Sequence, residues 1–142
     1  MLKPKGKTIR ALKPKKKTQT ISQIRDKIDK AFNEYIRIRD GACVICGNTE
    51  NLQCSHYWGK KARPATRWHE LNAHAMCAKC HFLHHQGNEA VYADWMYSTY
   101  TKQFMDLLTL ASCQHSKLNR SDLQDKLVYW RGKLHEIKQE KE

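Results

Sequence analysis

The sequence predicts a mostly helical protein with one small β-hairpin, held together by a structural zinc ion. Three observations carry that prediction. Apolar residues recur at helical spacing over much of the chain, from Ile24 to Ile137. Leu52, Cys54 and His56 alternate with Gln53, Ser55 and Tyr57, the period of a pleated strand. Two C-x2-C pairs, Cys43–Cys46 and Cys77–Cys80, stand with 30 residues between them. A tight C-x2-C turn supplies two thiolates to one ion, and two such turns complete a tetrahedral zinc site. Two unrelated pairs of reduced or disulfide-bonded thiols are the simpler alternative.

The chain has 142 residues, enough for one domain and a tail. Its formal net charge is +12. Such an excess attracts polyanions, so nucleic acid is the first partner to consider. A basic protein with a merely solvated charged face is the plain alternative. No apolar run approaches the ~20 residues that span a bilayer, so no membrane partner is expected. The basic N-terminus lacks an apolar segment after it and does not read as a secretory signal. The six cysteines are therefore expected in a reducing cytoplasm, where thiols favour metal over disulfides. Cys54 and Cys113 fall outside the pairs and read as ordinary buried or half-buried thiols.

Residues 1–20 form a basic arm, with eight cations and no acid before Asp26. Lys13, Lys15, Lys16 and Lys17 are its densest run. Like charges repel one another, so the arm is expected to be disordered until it meets a DNA backbone. Residues 21–39 follow as a helix, with Ser22 as its cap. Ile24, Ile28, Ala31, Tyr35 and Ile38 make its apolar stripe, and Gly41 ends it. Residues 42–58 hold the first cysteine turn and a strand carrying His56. Gly47 suits that turn because glycine lacks Cβ constraint.

Residues 59–71 read as a loop. Lys60, Lys61, Arg63 and Arg67 lie there beside Trp58 and Trp68, a mixture suited to phosphate contact. A short helix over 78–86 starts in the second cysteine turn and stops at Gly87-Asn88. One longer helix is predicted over 89–111, rich in aromatics that read as core. Residues 112–120 are a polar linker. Ser121 is expected to cap a last helix, with Leu123, Leu127, Trp130, Leu134 and Ile137 as its stripe. The predicted organisation is thus an arm over 1–20, a main domain over 21–112, and a C-terminal helix over 113–142 that packs on the domain or on a second subunit.

The order Cys-x2-Cys, His56, Asn72, Cys-x2-Cys, His81 resembles the HNH group of ββα-metal nucleases. That resemblance implies a zinc-stabilised ββα core flanked by helices. It makes His56 the general base and Asn72 the residue that pins the loop and orients the His56 imidazole. It makes His81 a ligand of a catalytic magnesium or manganese ion, with His84 or His85 as further candidates. His74 stands close enough to the second turn to contribute a hydrogen bond. The chemistry fits these residue types. A neutral imidazole can take a proton from water, and a divalent ion can neutralise charge building on a phosphodiester. Ser55 departs from the pattern, since many HNH nucleases carry a metal-binding Asp just before the base. An open, anion-attracting notch is expected between His56 and His81.

A narrower likeness appears with the flanks included. Ile36-Arg37-Ile38-Arg39-Asp40 before the first cysteine pair, His56-Tyr57, Arg67-Trp68, Asn72-x-His74 before the second pair, then Gly87-Asn88 and Tyr92, resemble the NinG (Rap) family of lambdoid phage recombination endonucleases. The resemblance implies cleavage of branched DNA, such as Holliday junctions and D-loops, in the cytoplasm of a bacterial host. Symmetric cutting of two strands implies a homodimer. His81 departs from that family, where Asn commonly follows the last Cys. A non-catalytic zinc-knuckle accessory of recombination fits the same charge and cysteines, as does an HNH nuclease with another DNA substrate. A thiol oxidoreductase fits poorly, because its C-x2-C usually occurs once beside a βαβ pattern.

Overall fold

The computed structural model describes residues 17–142. Lys13, Lys15 and Lys16 of the arm lie outside the described residues. The elements run α1 (Ile21–Asp40), β1 (Leu52–His56), β2 (Ala73–Cys77), α2 (Ala78–His85), α3 (Glu89–Thr99), α4 (Lys102–Ser112) and α5 (Arg120–Glu140). The strands pair antiparallel, with Leu52 opposite Cys77 and His56 opposite Ala73. The described residues are mostly helical with one small hairpin, as the periodicities require.

That hairpin is the wall between two cores. On one side lie α1 and α5. Arg120 at the start of α5 reaches the Gln19 carbonyl just before α1, and Trp130, farther along α5, packs on Phe32 and Tyr35, farther along α1. The two helices therefore run in the same direction. Ile24, Ile28, Phe32, Ile36, Leu123 and Trp130 fill this core, and Ala73 from β2 closes it. On the other side Met76, Tyr92, Met96, Met105 and Leu108 pack beside Cys43 and Cys77. Alternation along the strands turns Cys54 and Ala73 to the first core and Met76 to the second.

The free edge of β2 is covered from the end of α1. Arg39 donates to the carbonyls of Glu70 and Ala73, and the Asp40 carboxylate accepts from the Ala75 N–H at 2.7 Å. The Val44 N–H then donates to the Ala75 carbonyl at 3.0 Å. The Arg-Asp pair before the first cysteine turn thus satisfies strand groups that would otherwise be open to another chain.

Several local expectations are corrected. Residues 89–111 form two helices, because Tyr100 is extended and the Thr101 side chain accepts from the Phe104 N–H to start α4. Thr20, not Ser22, caps α1 through a capping box with Gln23. Asn119, not Ser121, caps α5 with Asp122 as its box partner. Gly41 ends α1 in the left-handed region at φ 66°. Cys54 is half-buried, but Cys113 is exposed.

Candidate functional site

The four cysteines meet. The thiols of Cys43, Cys46, Cys77 and Cys80 lie within 4.8 Å of one another, and Cys46 Sγ is 3.7 Å from Cys77 Sγ. Thiolates on one tetrahedral zinc ion stand roughly 3.8 Å apart, from a Zn–S length near 2.3 Å. The donor set therefore fits zinc. The first turn is shaped for the purpose. Gly47 sits at φ 77°, its N–H donates to the Cys43 carbonyl, and the Cys43 N–H donates to Asn48. Burial pushes the Cys43 thiol up, but N–H groups of Cys46, Cys77 and Ile45 and the Cys46 side chain outweigh it and bring it down to about 7. Burial and the other three thiols push Cys80 up. One negative charge in the cluster thus opposes the next, a conflict a divalent cation removes.

His56 ends β1 on the side of α1, its ring centroid 5.8 Å from that of Phe32. Its Nε2 lies 2.9 Å from the Arg67 carbonyl oxygen. A carbonyl only accepts, so Nε2 carries the proton and Nδ1 keeps the lone pair. Nδ1 bonds to no described residue and is not among the buried polar atoms lacking a partner. Burial, the largest influence, lowers the His56 pKa below its ordinary value, so the ring is neutral at physiological pH.

Asn72 is fully buried. Its Oδ1 accepts from the Trp58 N–H, and its Nδ2 donates to the carbonyls of Trp58 and Thr66. It ties the start of β2 to Trp58 and Thr66 of the 57–72 loop. It does not touch His56; the Arg67 carbonyl orients that imidazole instead.

The α2 histidines divide in two. His81 Nδ1 meets Gln53 Oε1 on β1, so Nδ1 is the protonated nitrogen and Nε2 is free. His85 Nε2 comes within 2.9 Å of His81 Nε2, one helical turn away. Two imidazoles sharing one six-coordinate ion bring their nitrogens to roughly 3 Å, from metal–nitrogen lengths near 2.1 Å. Fixing a ligand imidazole through its other nitrogen is what a neighbouring carbonyl does in metal sites. Burial first, then the neighbouring histidines including His56, lower the His81 pKa and keep it neutral. His84 turns away, its ring 5.2 Å from Tyr92 and its Nδ1 buried without a partner among the described residues.

Strand alternation sets His56 on the α1 side and Gln53 with His81 on the α2 side. His56 and the Gln53 that holds His81 thus leave β1 on opposite faces, with His56 still near enough to lower the His81 pKa. Ser55 shares the side of His81. Its hydroxyl is fully buried and unpartnered among the described residues. His74 stands opposite Ser55 and makes two bonds. The Tyr92 hydroxyl donates to the Ser55 carbonyl, so it accepts from His74 Nδ1, and His74 Nε2 accepts from Tyr100.

Three of the four loop cations are engaged with the protein. Arg67 and Lys60 both pair with Asp29 of α1, at 2.6 and 3.2 Å. Arg63 lies 5.0 Å over the Trp58 ring and donates to Cys113 Sγ. Lys61 is exposed, and Lys17 lies near Lys27 and Lys30 on an open face. Gln53 and Asp29 escaped the sequence reading. Their partners are 28 and 38 residues away, and neither belongs to a motif.

The family model described as Bacteriophage Lambda NinG protein matches residues 3–140. No curated protein and no solved structure matches the chain. No described helix is long and apolar enough to cross a membrane.

Proposed function

We propose that this chain, which belongs to the bacteriophage lambda NinG family, is a metal-dependent endonuclease that hydrolyses branched DNA during phage recombination. The observation that carries the reading is the His81–His85 pair. The ring nitrogens of His81 and His85 converge just beyond the thiolate clamp, and a passive DNA-binding knuckle needs no second cation site. His56 Nδ1 takes the proton of the attacking water, with Nε2–H held by the Arg67 carbonyl. Asn72 keeps the loop that bears that carbonyl in place. A bound divalent ion supplies neutralisation of the charge that develops on the phosphate and on the leaving 3′ oxygen, which yields a 5′-phosphate and a 3′-hydroxyl. Imidazole ligands favour manganese over magnesium, whose preferred donors are oxygens. Lys61, Lys17 and the remaining arm lysines hold the backbone, and two copies cut opposing strands. The HNH assignment and the host cytoplasm belong to the same proposal.

A second reading, a zinc-knuckle accessory without catalysis, draws on the separation of His56 and His81 across the hairpin. A nicking assay separates the two. Wild type, His56→Ala and His81→Ala are incubated with a four-way junction and a linear duplex in manganese. The proposal predicts junction nicking by wild type and loss of at least about a hundredfold in His56→Ala, in line with a general base. Equal products from all three proteins, or none from any while junction binding persists, would leave only the binder.

A further inference from the structure

We infer that Asp29 is the positioning residue of the site: from α1 it grips Arg67, and the Arg67 carbonyl in turn fixes the His56 imidazole. The inference rests on the proposed role of His56 for its catalytic consequence, but its geometry stands alone.

The Asp29 carboxylate is four-fifths or more withdrawn from solvent, with 14% of the side chain exposed. It accepts four hydrogen bonds. Arg67 Nε reaches Oδ1 at 3.0 Å and Arg67 Nη2 reaches Oδ2 at 2.6 Å, a two-pronged fork. Trp68 Nε1 adds a bond to Oδ1 at 2.8 Å, and Lys60 adds one to Oδ2 at 3.2 Å. A planar guanidinium held at two points has little freedom to turn. Trp68, the next residue, is held by the same carboxylate. The Arg67 backbone is thus fixed from both sides, and its carbonyl faces His56 Nε2 at 2.9 Å.

The arrangement has a chemical consequence. An imidazole without this acceptor exchanges its proton between Nδ1 and Nε2. Protonated on Nδ1, it has no lone pair where the attacking water must be met. Asp29 also sets the charge around the ring. The charged groups facing His56 are Asp29 from α1 and Lys60 and Arg67 from the loop. Asp29 offsets those two cations, and α1 otherwise presents Phe32.

The test is nitrogen-15 NMR of the zinc-loaded full chain, with His56 assigned from the spectrum of His56→Gln. Wild type should show His56 protonated on Nε2. Asp29→Asn keeps the shape but removes the charge and turns one acceptor into a donor against Arg67 and Lys60. It should give mixed tautomers and shift the His56 titration to lower pH. Junction nicking at saturating DNA should fall roughly tenfold to a hundredfold, as for a displaced catalytic group, with KM changed less than about threefold. Arg67→Lys retains the charge and the carbonyl but loses the fork; it should move the tautomer ratio the same way, and it decides the matter if Asp29→Asn does not fold. A purely structural Asp29 would lower the melting temperature and leave the tautomer and kcat of the folded protein unchanged, which overturns the inference. Wild type that nicks nothing, with Asp29→Asn still shifting the tautomer, sinks the nuclease reading and upholds the positioning role.

Discussion

Replacing Asn72 with Ala should be among the most costly single changes outside the hydrophobic cores. The side chain is fully buried and satisfies three main-chain groups: the Trp58 N–H, the Trp58 carbonyl and the Thr66 carbonyl. Alanine leaves all three in place with nothing to bond. Each buried group stranded this way costs about 1–3 kcal/mol. The sum is roughly 3–6 kcal/mol once some relaxation and water entry are allowed. Domains of this size are stable by about 5–15 kcal/mol, so a large part of the margin is at stake. Urea unfolding of the zinc-loaded protein, followed by tryptophan fluorescence, reads the difference through the midpoint and slope. Asn72→Asp is the sharper control. It keeps the acceptor for Trp58 N–H but turns an oxygen toward two carbonyls, so it should lose about as much as alanine. A loss below about 1 kcal/mol in both variants would mean that the loop is not pinned through this side chain.

Removing zinc with a strong chelator should abolish the near-UV circular dichroism of the core around Met76 and Tyr92, since metal binding and folding are one equilibrium in such clamps. Metal analysis should return one zinc per chain in wild type, Cys54→Ser and Cys113→Ser, and a deficit in Cys77→Ser. Stability should also depend on pH through His74. Burial, then the Arg39 charge, lower its pKa to about 4 against the raising influence of Asp40, so the unfolded chain takes up the proton first. As pH falls from about 6.5 to about 4, wild type should lose on the order of 3 kcal/mol relative to His74→Gln, measured by urea titration at each pH. Parallel curves for the two proteins would contradict a neutral, buried His74.

The sequence made the local chemistry readable and hid what acts at long range. The cysteine turns could be read because each places two ligands within four residues, and Gly47 marked the bend. The strand bearing His56 was visible in its alternation. The break at Tyr100 was not, because Trp95, Met96, Phe104 and Leu108 keep helical spacing on both sides of it. Thr101 was the available cue, as were Thr20 with Gln23 and Asn119 with Asp122 for the two caps. The basic loop read as a phosphate contact from composition alone. Composition does not say that Asp29, one of four acids on α1, has already claimed Lys60 and Arg67. The same limit hid Gln53, a polar strand residue until α2 folds over it. Only the three-dimensional contact distinguishes His85, which joins His81, from His84, which faces Tyr92.

The proposed activity needs two different cations side by side, zinc at the four thiolates and an exchangeable ion at His81 and His85 of α2. Pulsed electron paramagnetic resonance of manganese added to the zinc-loaded protein tests this directly. The predicted spectrum shows coupling to imidazole nitrogen that disappears in the His81→Ala/His85→Ala double variant, while zinc stays at one per chain. Manganese that shows no nitrogen coupling, or that binds only after the zinc is stripped, would contradict the account.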